Sequence, residues 1–266
     1  MTRIAAAFQR ARLENRAAFI GYLTAGDPSA DATVRMAGAL DAAGADILEL
    51  GVPFSDPIAD GPVLQRSAQR ALSAGTTLEG VLAMAARIRA RTSLALVLFS
   101  YVNPLLRRGL AAVASDARDA GFDGALATDL PPEEAGQYQP LLRAAGLDTV
   151  FLVSPTSPAG RMREAARLSS GFLYVVSRAG TTGARASLPP ELAATIRRAR
   201  RAAGSLPIAV GFGISTPEAA RRAAALADGV IVGSALMRAA EAAGDKREEA
   251  VALLARSLVL SCRRAR

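Results

Sequence analysis

The sequence predicts a closed (β/α)₈ barrel, and three observations carry that prediction. Eight short apolar runs rich in Val, Ile, Leu and Phe recur along the 266 residues, each bounded by Gly, Pro, Asp or Ser. Between them lie Ala/Arg/Glu/Leu stretches with helical spacing. The runs are continuously apolar, as expected for strands buried on both faces of a parallel sheet that is covered by helices. Eight such units match the length of a TIM barrel, and the whole chain, 1–266, reads as a single TIM-barrel domain with an extra N-terminal helix. An open doubly wound sheet would be expected to carry Gly-x-Gly-x-x-Gly after its first strand, and none is there.

Taken in order, the opening segment 1–16 reads as an amphipathic helix with Ile4, Phe8 and Leu13 on one face. Strands are expected at 19–23, 46–50, 94–99, 124–127, 149–153, 172–176, 208–210 and 229–232. Helices are expected at 30–43, 64–73, 78–89, 110–120, 132–145, 160–168, 189–203, 216–225 and 234–242. A last helix ending at Leu260 closes the final unit, with 263–266 as a frayed tail. No low-complexity linker divides the chain.

Composition narrows the chemistry. There is no histidine and no tryptophan, Cys262 is the one cysteine, and Lys246 is the one lysine among 32 basic residues. The chain therefore has no imidazole base, no Ser/His triad and no His-ligated metal. It also lacks the cysteines for a zinc cluster or a disulfide framework. Lys246 lies in a polar stretch, unlike a Schiff-base lysine in a dry pocket. Acid–base work would fall to carboxylates, helped by Tyr, Ser, Thr, Arg and backbone N–H groups. The net charge of +8 could suit nucleic acid, but the arginines spread along polar helix faces without aromatic interleaving. Apolar residues make up 51%, with no charge-free run of 18 and no signal-peptide h-region, so a cytoplasmic location is expected.

Barrel active sites form at the carboxyl ends of the strands. The second strand ends Leu48-Glu49-Leu50-Gly51 and its loop holds Asp56 and Asp60. Glu49 sits among apolar residues, where an unpaired carboxylate is costly. Pointing into the barrel mouth, it would have a raised pKa and could both give and take a proton near neutrality. It could equally be paired to an arginine or cap a loop. Asp60 could instead cap the helix that opens at Pro62. The loop after the sixth strand, 177–185, is small-residued and suited to a lid, with Thr182 and Gly183 offering polar groups. Gly211-Phe212-Gly213 follows the seventh strand and Gly233-Ser234 the eighth, a combination suited to phosphate. Tyr22, Phe99, Tyr101, Leu126, Tyr174, Phe212 and Ile231 lie at the same rim, each also readable as core. Together these residues describe a phosphate-bearing substrate with an apolar part.

The segment from Leu48 through Pro62 closely resembles the signature of the tryptophan synthase alpha chain. The resemblance extends through Tyr22–Pro28, Tyr101-Val102-Asn103-Pro104, Asp129–Glu134, Gly180–Arg185, Gly211–Ile214 and Gly233-Ser234, covering essentially the whole chain. It implies a lyase that cleaves indole-3-glycerol phosphate to indole and glyceraldehyde 3-phosphate by a retro-aldol reaction, in tryptophan biosynthesis. Glu49 matches the acid–base residue, Asp60 the carboxylate that holds the indole N–H, and Thr182 the lid residue that bonds this Asp. Gly183, Gly213, Gly233 and Ser234 match phosphate-binding positions, and Tyr22, Phe99, Tyr101, Tyr174 and Phe212 match the indole slot. The resemblance further implies no cofactor in this chain and a beta-chain partner carrying pyridoxal phosphate in an αββα heterotetramer. The loop 53–60 and the turn at Asn103-Pro104 would face that partner. Thr181, Thr128 and Ser100 depart from the usual family residues. A free-standing indole-releasing lyase and a non-catalytic activator of the beta chain are the alternatives.

Overall fold

The computed structural model describes residues 1–177, 190–211 and 213–264. Eight strands form one closed barrel in sequential order, every neighbouring pair parallel. They are β1 (Ala18–Thr24), β2 (Ile47–Gly51), β3 (Ala95–Ser100), β4 (Gly124–Ala127), β5 (Asp148–Val153), β6 (Phe172–Val176), β7 (Ile208–Gly211) and β8 (Gly229–Val232). The seam closes where Ala18 of β1 pairs with Gly229 of β8. Nearly all strand residues are buried, because one face fills the barrel and the other packs on helices. This double burial is why the sequence shows apolar runs in place of alternation.

The surrounding helices are α1 (Arg3–Leu13), α2 (Ala30–Ala42), α3 (Pro62–Ser73), α4 (Leu78–Arg89), α5 (Val102–Arg108) and α6 (Leu110–Asp119). They continue with α7 (Tyr138–Ala144), α8 (Ala159–Leu168), α9 (Leu192–Ala203), α10 (Pro217–Ala224), α11 (Ser234–Ala243) and α12 (Arg247–Ser261). Side-chain oxygens of Thr2, Ser29, Thr77 and Thr216 accept first-turn N–H groups at the starts of α1, α2, α4 and α10, which fixes where these helices begin. Among the described residues, no helix is long and apolar enough to cross a membrane.

The extra helix α1 stoppers the floor of the barrel. Ile4 and Phe8 are buried. A Cβ added at Gly124 or Gly229 would crowd Ile4 or Phe8 at about 3 Å, and Gly171 lies beside Ile4 as well. Glycine at these strand starts leaves the space that the plug fills. From Phe8 an aromatic column climbs the interior, through Phe172 at 5.7 Å to Tyr174 at a further 6.4 Å.

Aspartates just before strands tie the floor together. Asp46 accepts two bonds from Arg16 (2.6 and 2.8 Å), one from Arg10 and one from the Phe19 N–H of β1. Asp123 accepts Arg89 and the Leu96 N–H of β3, and Asp228 accepts Arg200 and the Ile208 N–H of β7. Much of the arginine excess therefore serves the scaffold.

Four expectations need correction. Leu13 is 79% exposed; Ala7 and Ala11 complete the buried face of α1 with Ile4 and Phe8. Asn103 and Pro104 lie in the first turn of α5 rather than in a turn, a position where proline costs no helical bond. The helix expected over 132–145 splits into a short 3₁₀ turn, Pro132–Glu134, and α7. The tail is anchored as far as it is described: Arg263 bridges to Arg16, and Arg264 donates to the carbonyls of Ala224 and Ala227. Cys262 is fully buried and burial pushes its thiol up to about 12, so it is protonated and unreactive at neutral pH.

Removing the plug should destabilise the barrel without altering its mouth. Phe8→Ala is expected to lower the unfolding free energy by about 3–5 kcal/mol, measured by urea denaturation. A loss below about 1 kcal/mol would show that α1 is not integral to the floor.

Candidate active site

Alternation along the strands aims Tyr22, Glu49, Phe99, Tyr174 and Ile231 into the barrel mouth. With Asp60, Leu64, Gly213, Ile214, Gly233 and Ser234 they line a small cavity. Leu64 and Ile214 were not anticipated from the sequence. Their signal was position alone, Leu64 in the first turn of the helix after Asp60 and Ile214 directly after Gly213.

Glu49 is the middle residue of β2, flanked in register by Tyr22 of β1 and Val97 of β3. It is 1% exposed, and its Oε1 has no hydrogen-bond partner among the described residues. Neither the arginine-paired nor the loop-capping alternative holds for that oxygen. Burial in an apolar wall penalises the charged form and pushes the carboxyl from its ordinary 4.5 to about 8. The Tyr22 and Tyr174 hydroxyls are raised by burial and by the nearby Glu49 and Asp60 carboxylates, so both stay neutral. Tyr22 packs edge-on against Phe99 at 5.1 Å.

Two glycines make room for these tyrosines. A Cβ at Gly51 would collide with the Tyr22 hydroxyl, and one at Gly211 with that of Tyr174. The glycine that ends β2 therefore serves the site as well as the turn.

Asp60 is not the helix cap, since Gly61 occupies the N-cap of α3. Its Oδ2 instead accepts from the Tyr101 hydroxyl at 3.1 Å, and that hydroxyl accepts from the Ala59 N–H at 3.0 Å. Gln65 donates to the Asp60 carbonyl at 2.9 Å. Burial raises Asp60 to about 6, against the opposing pull of the Tyr101 hydrogen bond. The mouth thus holds two carboxyl groups in different states near neutrality, Glu49 largely protonated and Asp60 largely ionised. Tyr101 does not line the cavity but reaches it through Asp60, while Leu126 is buried in the wall.

On the β7 and β8 side of the mouth, Gly213 has φ +88°, a conformation that favours glycine. Gly233 is the N-cap of α11 and Ser234 its first residue, with no capping side chain on the first-turn N–H groups. Such an uncapped N-terminus facing a cavity suits an anion. Thr182, Gly183 and Phe212 lie outside the described residues. Of the positions that depart from the resemblance, Ser100 is buried and donates to the Tyr101 carbonyl, and Thr128 donates to the Ser100 carbonyl. The Thr128 bond holds the tops of β3 and β4 together, and the Ser100 bond stays within the end of β3. Thr181 lies outside the described residues.

Barrel and mouth together define a (β/α)₈ barrel whose mouth brings together carboxyl groups, tyrosines and an anion-receptive helix end. The family model described as tryptophan synthase alpha chain matches residues 8–262. The chain is 53% identical to the tryptophan synthase alpha chain of Solibacter usitatus over 241 residues, 91% of this chain and 90% of that one. It is 48% identical to that of Geobacter sulfurreducens over 238 residues, 90% of each. A structure of Mycobacterium tuberculosis tryptophan synthase superposes with a TM-score of 0.91 at 38% identity, covering 99% of both chains. The tryptophan synthase alpha chain from Legionella pneumophila gives 0.89 at 36% identity, covering 98% of this chain and 97% of that one. The chain belongs to the tryptophan synthase alpha chain family, the lyases that cleave indole-3-glycerol phosphate in tryptophan biosynthesis.

The raised pKa of Glu49 has a measurable sign. Between about 4.5 and 8 the folded chain holds a proton that the unfolded chain releases, so stability falls as pH rises through this window. Glu49→Gln removes that dependence. In urea unfolding the variant should match wild type below about pH 4.5 and exceed it increasingly up to about pH 8. An equal or lower stability at pH 8 would contradict a desolvated Glu49.

Proposed function

We propose that Glu49, Asp60 and the Gly233-Ser234 helix end carry the cleavage of indole-3-glycerol phosphate in this chain. The observation that carries this reading is the pair of unlike carboxyl groups in one apolar mouth that is also lined by an anion-receptive helix terminus. The substrate has the same layout, an apolar indole at one end and a phosphate at the other. Asp60, ionised and fixed by Tyr101, accepts the indole N–H and stabilises the positive charge that develops in the ring. Glu49 moves the protons. The ring C3 gains a proton, the side-chain hydroxyl loses one, and the bond between C3 and the hydroxyl-bearing carbon breaks. Indole leaves with the added hydrogen and the side chain leaves as the aldehyde, so no net proton is consumed. A carboxyl whose pKa stands near 8 can act in both transfers at neutral pH.

Tyr22, Phe99 and Tyr174 form the walls of the indole slot in this reading, and Phe212 joins them. Gly213, Gly233 and Ser234 hold the phosphate through backbone N–H groups and one hydroxyl, with Gly183 contributed by the loop after β6. Thr182 serves to bond Asp60 on closure. No cofactor is assigned to this chain. Its partner is a tryptophan synthase beta chain carrying pyridoxal phosphate, in an αββα assembly that receives the indole. The loop 53–60 and the first turn of α5 meet that partner. The cytoplasm is the proposed location. The Tyr101 hydroxyl bonds Asp60 and Ala59 and so connects the partner-facing loop to the indole end of the site.

Glu49→Gln should lower kcat for cleavage of indole-3-glycerol phosphate by roughly 10²–10⁴-fold, as for loss of a general acid–base group, with the circular dichroism spectrum unchanged. Near-normal turnover would remove Glu49 from the mechanism. Indole release should also rise strongly when the cognate beta chain is added. Full activity without it would favour a free-standing lyase, and none under either condition a non-catalytic activator.

A further inference from the structure

The two ends of the mouth are supported by separate helices. Asp60 stands two residues before α3, and Ser234 opens α11. The two helices pack on each other, and both pack on β1. About 12 Å along α3 from its start, at 1.5 Å per residue, Arg70 forks between two carboxylates. Its Nε and Nη2 donate to Asp27 at 2.8 and 2.7 Å, and its Nη1 donates to Glu241 of α11 at 2.7 Å. Arg66, one turn earlier on α3, grips the same Glu241 with two bonds, at 3.1 and 2.9 Å. Asp27 lies in the loop after β1, is nearly fully buried, and also accepts the hydroxyl of Ser67 on α3.

We propose that Arg70 is a positioning residue that fixes the distance between the carboxylate end and the phosphate end of the site. Glu241 is its counterpart on α11. The inference rests on the reading of Asp60 and Ser234 as opposite ends of one substrate site. Its physical content is a rigid triangle. The buried Asp27 anchors Arg70 to the β1 loop, and the planar guanidinium then holds α11 at a set offset from α3. A lysine cannot make this fork, because its point charge lacks the parallel donors. Rotation of α11 against α3 would shift Ser234 relative to Asp60 while leaving each end intact. A ligand that spans both ends would feel the shift, and a ligand that uses one end would not, since only the first benefits from two linked, correctly spaced contacts.

Glu241→Ala is the informative variant, because it cuts both α3–α11 bridges at a partly exposed helical position and leaves the Asp27–Arg70 contact in place. Binding is measured by calorimetry with two probes on the full chain. One is indole joined to phosphate by an uncleavable propyl chain, and the other is glycerol 3-phosphate. The spanning probe should weaken by roughly ten-fold, and the fragment by less than about two-fold. For indole-3-glycerol phosphate, KM should rise more than kcat falls. Arg70→Lys should give an intermediate loss of the spanning probe. If both probes weaken in parallel, the network only stabilises the fold, and if neither weakens, it has no bearing on the site. Either result overturns the inference. If wild type binds neither probe, the reading of the two ends fails instead.

Discussion

Closure of the parallel strand ring is the constraint on which the rest depends. Each strand is hydrogen-bonded on both edges, so the interior contains side chains only, and α1 seals it from below. A carboxyl group placed on an inward position of β2 therefore meets apolar atoms and no water-filled channel beneath it. The displaced pKa of Glu49 follows from this dryness, with no charged neighbour required. Asp60 comes from a loop at the rim, where a tyrosine hydroxyl can reach it, and its shift is correspondingly smaller. Depth in the barrel and the Tyr101 hydrogen bond at its rim thus give two buried carboxyl groups different proton affinities.

The abundant arginines take no part in that difference. Asp46, Asp123 and Asp228 hold Arg16, Arg89 and Arg200 at the barrel floor, and Asp27 and Glu241 hold Arg66 and Arg70 between helices. Among the described residues lining the mouth there is no arginine. An arginine beside Glu49 would favour its charged form and lower its pKa, removing the capacity to hold a proton at neutral pH. In the proposed reading, recognition of an anion is left to backbone N–H groups and a helix dipole, which add no mobile charge near Glu49.

The fold was legible because burial on both faces writes itself directly into composition. Strands at 124–127, 172–176 and 229–232 have the bounds their apolar runs imply. The errors fall where local pattern is overruled by tertiary contacts. Leu13 is an error of period instead: five residues after Phe8 it stands about 140° round the helix at 3.6 residues per turn, and so faces outward. The tail looked polar and free because nothing local shows that Arg264 would find the carbonyls of Ala224 and Ala227. At the site, Glu49 and Asp60 were visible as carboxylates in apolar or proline-bound surroundings. The roles of Gly51 and Gly211 were not, because each makes space for a tyrosine on a neighbouring strand, information that no single segment contains. Arg70 looked like one more solvated helix arginine for the same reason.

The seam between β1 and β8 gives the chain a particular order of assembly. Seven of the eight ladders join strands that follow one another in sequence, so each closes a short loop of chain. The eighth joins Ala18 to Gly229, across almost the whole polypeptide, and loop closure over that span carries the largest entropic cost of any ladder. Residues beyond β8 then fasten it: the Cys262 carbonyl accepts the Ala17 N–H, and the Arg264 N–H donates to Asn15. On a ribosome, β1 must therefore wait with an open edge until β8 emerges. The barrel's floor, and with it the dry interior that tunes Glu49, is completed only once β8 and the residues that fasten it, 262–264, have been made.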